Sequence, residues 1–251
     1  MATASCQASA KMRAHVLVEH CFFTGLALAM LATSAAGFLP SLLHAAGRRA
    51  SISPLAAAHG IVFFAWLCIF LVQSRLVATE NVGLHQRLGV AAGFVLALMI
   101  PLAYATTIAM VRRGFDLSGD LRIDHDPLYE CIFPLGDLLL FSVLVLAALT
   151  FRRRPEIHKR LMLFANIALM GAPLAHLIGH APRLAAMPAA IILAPISMFL
   201  LAGVAREYLL VTKPHPLTWA LAVGMFLFGP LRAGLIGPSV AWHRLANLFT
   251  R

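Results

Sequence analysis

The chain has 251 residues, of which 61% are hydrophobic and only 12% are charged. This composition excludes a soluble globular protein and predicts an integral membrane protein. The net charge of +10 does not indicate a nucleic-acid-binding protein, because the lysines and arginines lie mainly in short segments between apolar runs, where they set membrane topology.

Seven apolar runs follow one another, and each is about long enough to cross a hydrocarbon core of roughly 30 Å as a helix. Backbone polar groups in lipid must be satisfied within the segment, which favours helices. The predicted fold is all-α, a single transmembrane domain over residues 1–251 with a bundle of about seven helices. The spans lie near residues 16–38, 53–77, 85–111, 128–151, 158–181, 187–205 and 216–237.

Two local features qualify these spans. Lys11 and Arg13 precede the first run, as in a signal peptide. We expect a retained helix, because the run continues to about Leu43 and contains Glu19 and His20; a cleaved signal is the alternative. Prolines inside spans predict kinks, since proline removes a backbone donor. They are Pro101, Pro134, Pro173, Pro195 and Pro230.

The segment between the fourth and fifth spans sets the predicted orientation. It carries five cations, Arg152, Arg153, Arg154, Lys159 and Arg160. Dense positive charge close to span ends resists translocation, so we predict a bacterial inner (plasma) membrane protein with a cytoplasmic N-terminus and an external C-terminus. The same cations are predicted to contact anionic lipid headgroups. The bilayer is the main predicted partner, other membrane proteins are candidates, and no nucleic acid is expected.

Ionisable residues at membrane depth are the candidates for function, because such groups are costly to place in lipid. The predicted depths bring His59, Asp137 and His176 into one layer toward the outer side. His180 lies one turn beyond His176, so both imidazoles can face one point. This set suits Zn, Fe, Cu or Mn, with the carboxylate as a ligand or orienting an imidazole. A buried network without metal and a proton or solute path are the alternatives, and pairing of Arg232 with Asp137 would favour the network.

A second polar layer is predicted at the cytoplasmic side, where His85 opens the third span and His158 opens the fifth. Two histidines facing each other on neighbouring helices are what a six-coordinate haem b needs. His85 with His158 inside, and His59 with His176 outside, would hold two haems stacked across the membrane. The alternative is that the inner pair, which lies beside basic residues, anchors helix ends among lipid headgroups.

The segment HLIGH, residues 176–180, places two histidines four residues apart in a seven-span chain. In this it loosely resembles the membrane hydrolases that include alkaline ceramidases and progestin-type receptors, in which three histidines hold zinc and activate water. The resemblance implies zinc-dependent hydrolysis, with Asp137 as the candidate general base.

The middle of the chain carries three motifs in order. The second span reads HGIVFFAWLCIFLVQ over residues 59–73, the third begins with HQRLG at 85–89, and the fifth begins within RPEIHKRLM at 154–162. In the first, His59, Trp66 and Gln73 share one helix face. The order resembles a group of uncharacterised bacterial polytopic membrane proteins with H...W...Q, HRRLG-like and RPExHKRLM motifs. The resemblance covers about residues 55–170 and implies a shared helical bundle. The helix starts are vaguely similar to cytochrome b561-type and haem-copper oxidase assembly proteins.

Three functions are therefore predicted as alternatives, and whether the protein is an enzyme is left open. The first is a redox membrane protein that binds haem b or a transition metal (Zn, Fe or Cu). Its cofactor candidates are His59, His85, His158 and His176, and its metal candidates are His59, Asp137, His176 and His180. The second is a non-enzymatic membrane scaffold or assembly factor whose polar layers only hold helices together. The third is a zinc-dependent membrane hydrolase.

Overall fold

The computed structural model describes residues 2–43, 51–114, 126–179, 189–210 and 214–250. The side chains of residues 2–15, 189–195 and 210 lie outside this description. All the regular structure in the described residues is helical, which confirms the predicted all-α class. The helices are α1 (Ala2–Leu43), α2 (Pro54–Ala78), α3 (Val82–Arg113), α4 (Pro127–Glu130), α5 (Ile132–Thr150), α6 (Pro155–Ala168), α7 (Gly171–Gly179), α8 (Ala189–Leu210), α9 (Pro216–Leu231), the π-helical segment Arg232–Ile236, and α10 (Val240–Thr250).

Within the described residues, six segments are long and apolar enough to cross a membrane, so the protein is a multi-pass membrane protein. They are Val16–Leu43, Pro54–Ala78, Val82–Arg113, Pro127–Thr150, Pro155–Gly179 and Pro216–Ile236. Each overlaps one predicted span. The remaining prediction, 187–205, overlaps α8. Proline stands at the start of four spans, where its missing N–H costs nothing.

The fifth span is the centre of the bundle. In its most apolar window 67% of the residues are buried, against 11–28% in the other five spans. Its first part, α6, packs against α5, α8 and α9, and its second part, α7, packs against α1, α5 and α8. Phe164 of α6 and Phe141 of α5 are fully buried in this core. The outer spans present large apolar side chains on their free faces, as lipid contact requires.

Three of the predicted kinks coincide with interruptions of a helix. The fourth span breaks at Cys131, between α4 and α5, where Pro134 has no N–H to offer the Glu130 carbonyl. The fifth span breaks at Leu169 and Met170, whose N–H groups bond three residues back instead of four. Pro173 explains the break, because it has no N–H to offer the Leu169 carbonyl. Pro230 precedes the π-helical segment in the same way. By contrast, α3 continues through Pro101.

Candidate functional site

Polar groups from seven of the described helices meet at one end of the bundle, which we call the His85 end. Gln73, in the last turns of α2, donates from Nε2 to the carbonyl of His85 near the start of α3, at 3.1 Å. Glu207, near the end of α8, bonds Thr218 near the start of α9. The end of α5, the start of α6 and Glu19 of α1 complete this end. The sequence prediction that these helix termini share one side of the membrane agrees with these contacts.

The imidazoles of His85 and His158 are neighbours at the His85 end. Their ring centroids are 6.5 Å apart and their planes are nearly perpendicular, at 89°. His158 Nδ1 lies 2.8 Å from the carbonyl of Ala148. Since a carbonyl can only accept, Nδ1 carries a proton, which leaves Nε2 as the nitrogen that could bind a ligand. The structure thus brings together the two residues that the sequence predicted as the inner pair.

Two buried polar atoms beside this pair have no hydrogen-bond partner among the described residues. They are Nδ1 of His85 and Oε1 of Gln73. Buried polar groups are normally paired, so each such atom needs an explanation, and a missing ligand or water is one of the usual ones. Both His85 and His158 are half-buried, so the site is open on one side.

A charge network occupies the other side of the His85 end, and Glu207 is its centre. Its carboxylate accepts hydrogen bonds from Arg160 Nε and Nη2 at 3.0 Å each and from Arg206 Nη1 at 2.7 Å. It also accepts from the Thr218 hydroxyl at 3.1 Å and the His215 N–H at 3.0 Å. Only 1% of the Glu207 side chain and 3% of the Arg160 side chain is exposed. Five donors on one carboxylate offset its loss of water.

Two further carboxylates complete the network. Glu19 of α1 pairs with both Lys159 and Arg206, and Glu156 pairs with Lys159 and Arg160. The three carboxylates match the three cations in number, so the network is neutral. Arg206 and Glu207 are not among the functional residues predicted from the sequence. The pattern that could have indicated them is an adjacent Arg–Glu pair near the end of an apolar run.

At the opposite end, Asp137 forms an ion pair with Arg232. Arg232 Nη1 donates to Asp137 Oδ1 at 2.7 Å and to the Phe133 carbonyl at 2.9 Å, and its guanidinium lies 4.4 Å from the centre of the Phe228 ring. A Cβ atom on Gly171 would lie 2.7 Å from Asp137 Oδ2. The carboxylate therefore packs directly against the break in the fifth span. This is the pairing that, as predicted from the sequence, would favour a structural network.

The other members of the predicted outer layer have aromatic neighbours. His59 stacks on Phe63, with centroids 4.2 Å apart, and His176 lies 4.6 Å from Phe38. Within the described part of the chain, no three histidine, cysteine, aspartate or glutamate side chains come together as a metal-binding group. His59, Asp137 and His176 therefore do not assemble there. His180 lies outside the described residues, so the four-residue metal set and the HLIGH hydrolase site remain predictions.

The C-terminal helix α10 lies outside the predicted spans and closes the Asp137 end. Trp242 Nε1 donates to the Leu128 carbonyl at 2.8 Å. His243 bonds the Ser239 carbonyl through Nδ1 and the Asp126 carboxylate through Nε2, at 3.0 and 2.8 Å. Both partners are acceptors, so the doubly protonated ring satisfies both. The bond to the Ser239 carbonyl, together with the Asp126 carboxylate, raises the pKa of His243 above its usual value.

Between the two ends, Trp66 of the second span links to the core. Its indole Nε1 donates to Asn166 Oδ1 at 3.1 Å, and the amide of Asn166 donates to the Met162 carbonyl at 2.8 Å. Asn166 is completely buried. Trp66 and Gln73, two members of the predicted stripe, thus both bond groups on other helices, one in the core and one at the His85 end.

No protein-family model, curated protein or solved structure matches this chain. The resemblances drawn from its motifs therefore remain predictions, and a functional assignment rests on the geometry of its own residues.

Proposed function

We propose that this protein is a redox protein of the bacterial inner membrane that binds a haem b, or a transition metal, between His85 and His158. The observation that carries the proposal is the distance of 6.5 Å between the two imidazole centroids. A metal–nitrogen bond of about 2 Å, plus about 1 Å from nitrogen to ring centre, gives roughly 6 Å for two imidazoles on opposite sides of one metal. A tetrahedral angle would reduce this separation to about 5 Å. His85 and His158 would therefore be the residues that hold a haem, because their separation is longer than a tetrahedral zinc site would need.

The hydrogen bond of His158 supports the same assignment. Histidines that bind metals usually donate their second ring N–H to a carbonyl or carboxylate, which orients the ring and fixes the tautomer. His158 makes this bond to Ala148, and its remaining nitrogen is free to bind a metal. A haem held here would supply one-electron redox chemistry, while the protein sets its position and access to solvent.

The proposed orientation has the N-terminus in the cytoplasm and the C-terminus outside. It is supported by Arg152, Arg153 and Arg154, which lie in the turn between α5 and α6 at the His85 end. The His85–His158 site would then face the cytoplasm, where it could exchange electrons with soluble carriers.

The test is an absorption spectrum and elemental analysis of the full chain purified in mild detergent. We expect a Soret band, with its intensity lost in His85→Ala and in His158→Ala. His20→Ala is the matched control. It removes a half-buried histidine of α1 that belongs neither to the His85–His158 pair nor to the His59–His176 pair. A Soret band that survives both site substitutions would refute the site, and a colourless, metal-free protein would refute the redox function.

A scaffold or assembly factor is the second candidate. The observation that favours it is the neutral network around Glu207, which joins α1, α6, α8 and α9. Every charge in this network is paired, so none is available for a chemical step. The Asp137–Arg232 pair links α5 to the π-helical segment in the same manner. This function predicts a colourless, metal-free protein that copurifies with other membrane proteins. A colourless protein with about one zinc per chain would instead favour the hydrolase.

A further inference from the structure

Among the described residues, the His85 end has a neutral side and a positive side. On the neutral side, Lys159, Arg160 and Arg206 are each paired with carboxylates. The positive side carries five exposed arginines, and none has an ion-pair partner among the described residues. These rim arginines are Arg75, Arg87, Arg152, Arg153 and Arg154. One exposed acid, Glu80, lies in the turn between α2 and α3 on that side, so five positive charges stand against one negative charge.

The rim arginines surround the His85–His158 site. Arg87 follows His85 by two residues, and Arg75 follows Gln73, which bonds the His85 carbonyl, by two residues. The other three occupy the turn between Ala148, which accepts the hydrogen bond of His158, and His158 itself. The arginines therefore come from three separate stretches of chain, and each stretch also contributes to the site.

We propose that the rim arginines are the docking surface for an acidic, soluble electron-carrier protein, an inference that rests on the proposed redox function. A positive rim around a half-buried redox site attracts a negatively charged partner and orients it with its own cofactor toward the site. This arrangement accelerates productive encounter without requiring a large apolar interface, which is typical of weak electron-transfer complexes.

The position of the rim arginines favours a protein partner over lipid headgroups. Each of the three stretches that carry them also contributes to the His85–His158 site, as docking of a partner that exchanges electrons with this site requires, whereas headgroup contact requires no such proximity. The network cations on the other side are instead neutralised within the protein.

The test measures binding without needing a cofactor. The full chain is placed in nanodiscs of zwitterionic phosphatidylcholine, and a fluorescently labelled acidic flavodoxin serves as the probe. We expect the dissociation constant to rise steeply as salt increases from about 20 to about 200 mM, because exposed charges are screened over this range. The double variants Arg75→Gln/Arg87→Gln and Arg152→Gln/Arg153→Gln should each weaken binding on the order of tenfold at low salt. Arg244→Gln, which removes an exposed arginine of α10 at the opposite end, should leave it unchanged.

The outcomes separate this surface from the redox proposal. If the protein is colourless but binds flavodoxin through the rim arginines, the docking surface is supported and the cofactor proposal is refuted. If the protein has a Soret band but its flavodoxin binding changes neither with salt nor with the rim substitutions, the docking surface is refuted and the cofactor site is retained. The surface is equally overturned if the double variants bind flavodoxin normally but lose phosphatidylglycerol from mixed-lipid nanodiscs, since the rim would then serve lipid headgroups. The rim side chains are exposed, so these variants should fold, and gel filtration checks that they do.

Discussion

Removing the carboxylate of Glu207 should destabilise the bundle more than any other single loss of charge at the His85 end. Glu207→Leu keeps an apolar side chain of similar size but leaves Arg160 and Arg206 buried without their shared partner. Both guanidiniums are at most 3% exposed, so water cannot replace the lost carboxylate. Breaking a buried ion pair from one side typically costs about 3–5 kcal/mol. We expect about 4 kcal/mol, because two cations lose a partner while Arg160 retains Glu156 and Arg206 retains Glu19.

The assay is reversible unfolding in mixed micelles with increasing SDS, arranged as a double-mutant cycle. Arg160→Met alone should cost about 3 kcal/mol, since it leaves one carboxylate with fewer donors. The double variant Arg160→Met/Glu207→Leu should cost clearly less than the sum, with a coupling of about 2–3 kcal/mol. Glu156→Gln is the control; its side chain is 62% exposed and its loss should cost under about 1 kcal/mol.

Two results would refute this reasoning. If the two single costs simply add, Arg160 and Glu207 do not stabilise each other, and their contact is incidental. If Glu207→Gln, which keeps the shape and most hydrogen bonds, is as stable as the wild type, the negative charge itself has no role.

Three further predictions concern the core and the Asp137 end. Gly171→Ala places a methyl group 2.7 Å from Asp137 Oδ2, so the carboxylate must shift; we expect a loss of about 1–3 kcal/mol in SDS unfolding. Trp66→Phe leaves a buried amide oxygen without its donor, and should cost about 1–2 kcal/mol in the same assay. The pKa of His243 is raised on folding, so its bonds to the Ser239 carbonyl and Asp126 should stabilise the protein fully below about pH 6.5 and lose this effect as pH rises through the folded-state pKa. Unfolding of wild type and His243→Gln across pH measures this difference.

Each of these has its own control or contrary result. Gly93→Ala adds the same methyl group where nothing lies within 4 Å, and should be neutral or slightly stabilising. An equal loss at both glycines would show that the loss at Gly171 does not come from the contact with Asp137. For His243, a stability difference that grows as pH rises would reverse the predicted sign. For Trp66, a neutral phenylalanine variant would mean that the Asn166 amide finds another donor.

Much of the fold follows from local rules that the sequence exposes directly. A segment in lipid must satisfy its own backbone, so a long apolar run is a helix whatever its neighbours are. Pro155 and Pro216 mark helix starts for an equally local reason, because the first turn needs no donor from them. Pro173 and Pro101 show the limit of that rule. Both lie inside spans, yet only Pro173 accompanies a break, and sequence alone does not distinguish them.

Some features of the candidate site also follow from the sequence, while others depend on the tertiary structure. His85 and His158 could be paired from sequence because each opens a span on the same predicted side, so depth alone brought them near one another. Glu207 gave no such signal, since its role depends on α6, α8 and α9 being neighbours. The predicted outer layer shows that a shared depth is not sufficient to bring residues together. His59, Asp137 and His176 share a predicted depth, but equal depth does not imply adjacency around the bundle, and Asp137 pairs with Arg232 instead.

The sequence by itself therefore determined the class of protein and the positions of its long apolar helices, and it predicted a level in the membrane for each polar residue. These properties depend on hydrophobicity and helical rise, which act residue by residue along the chain. Only the tertiary structure decided which helices are neighbours, and hence that Glu207 neutralises two arginines, that Asp137 faces the broken fifth span, and that His85 and His158 stand 6.5 Å apart. Those properties arise from packing between helices distant in sequence, where many arrangements bury similar apolar area and the specific polar contacts select one.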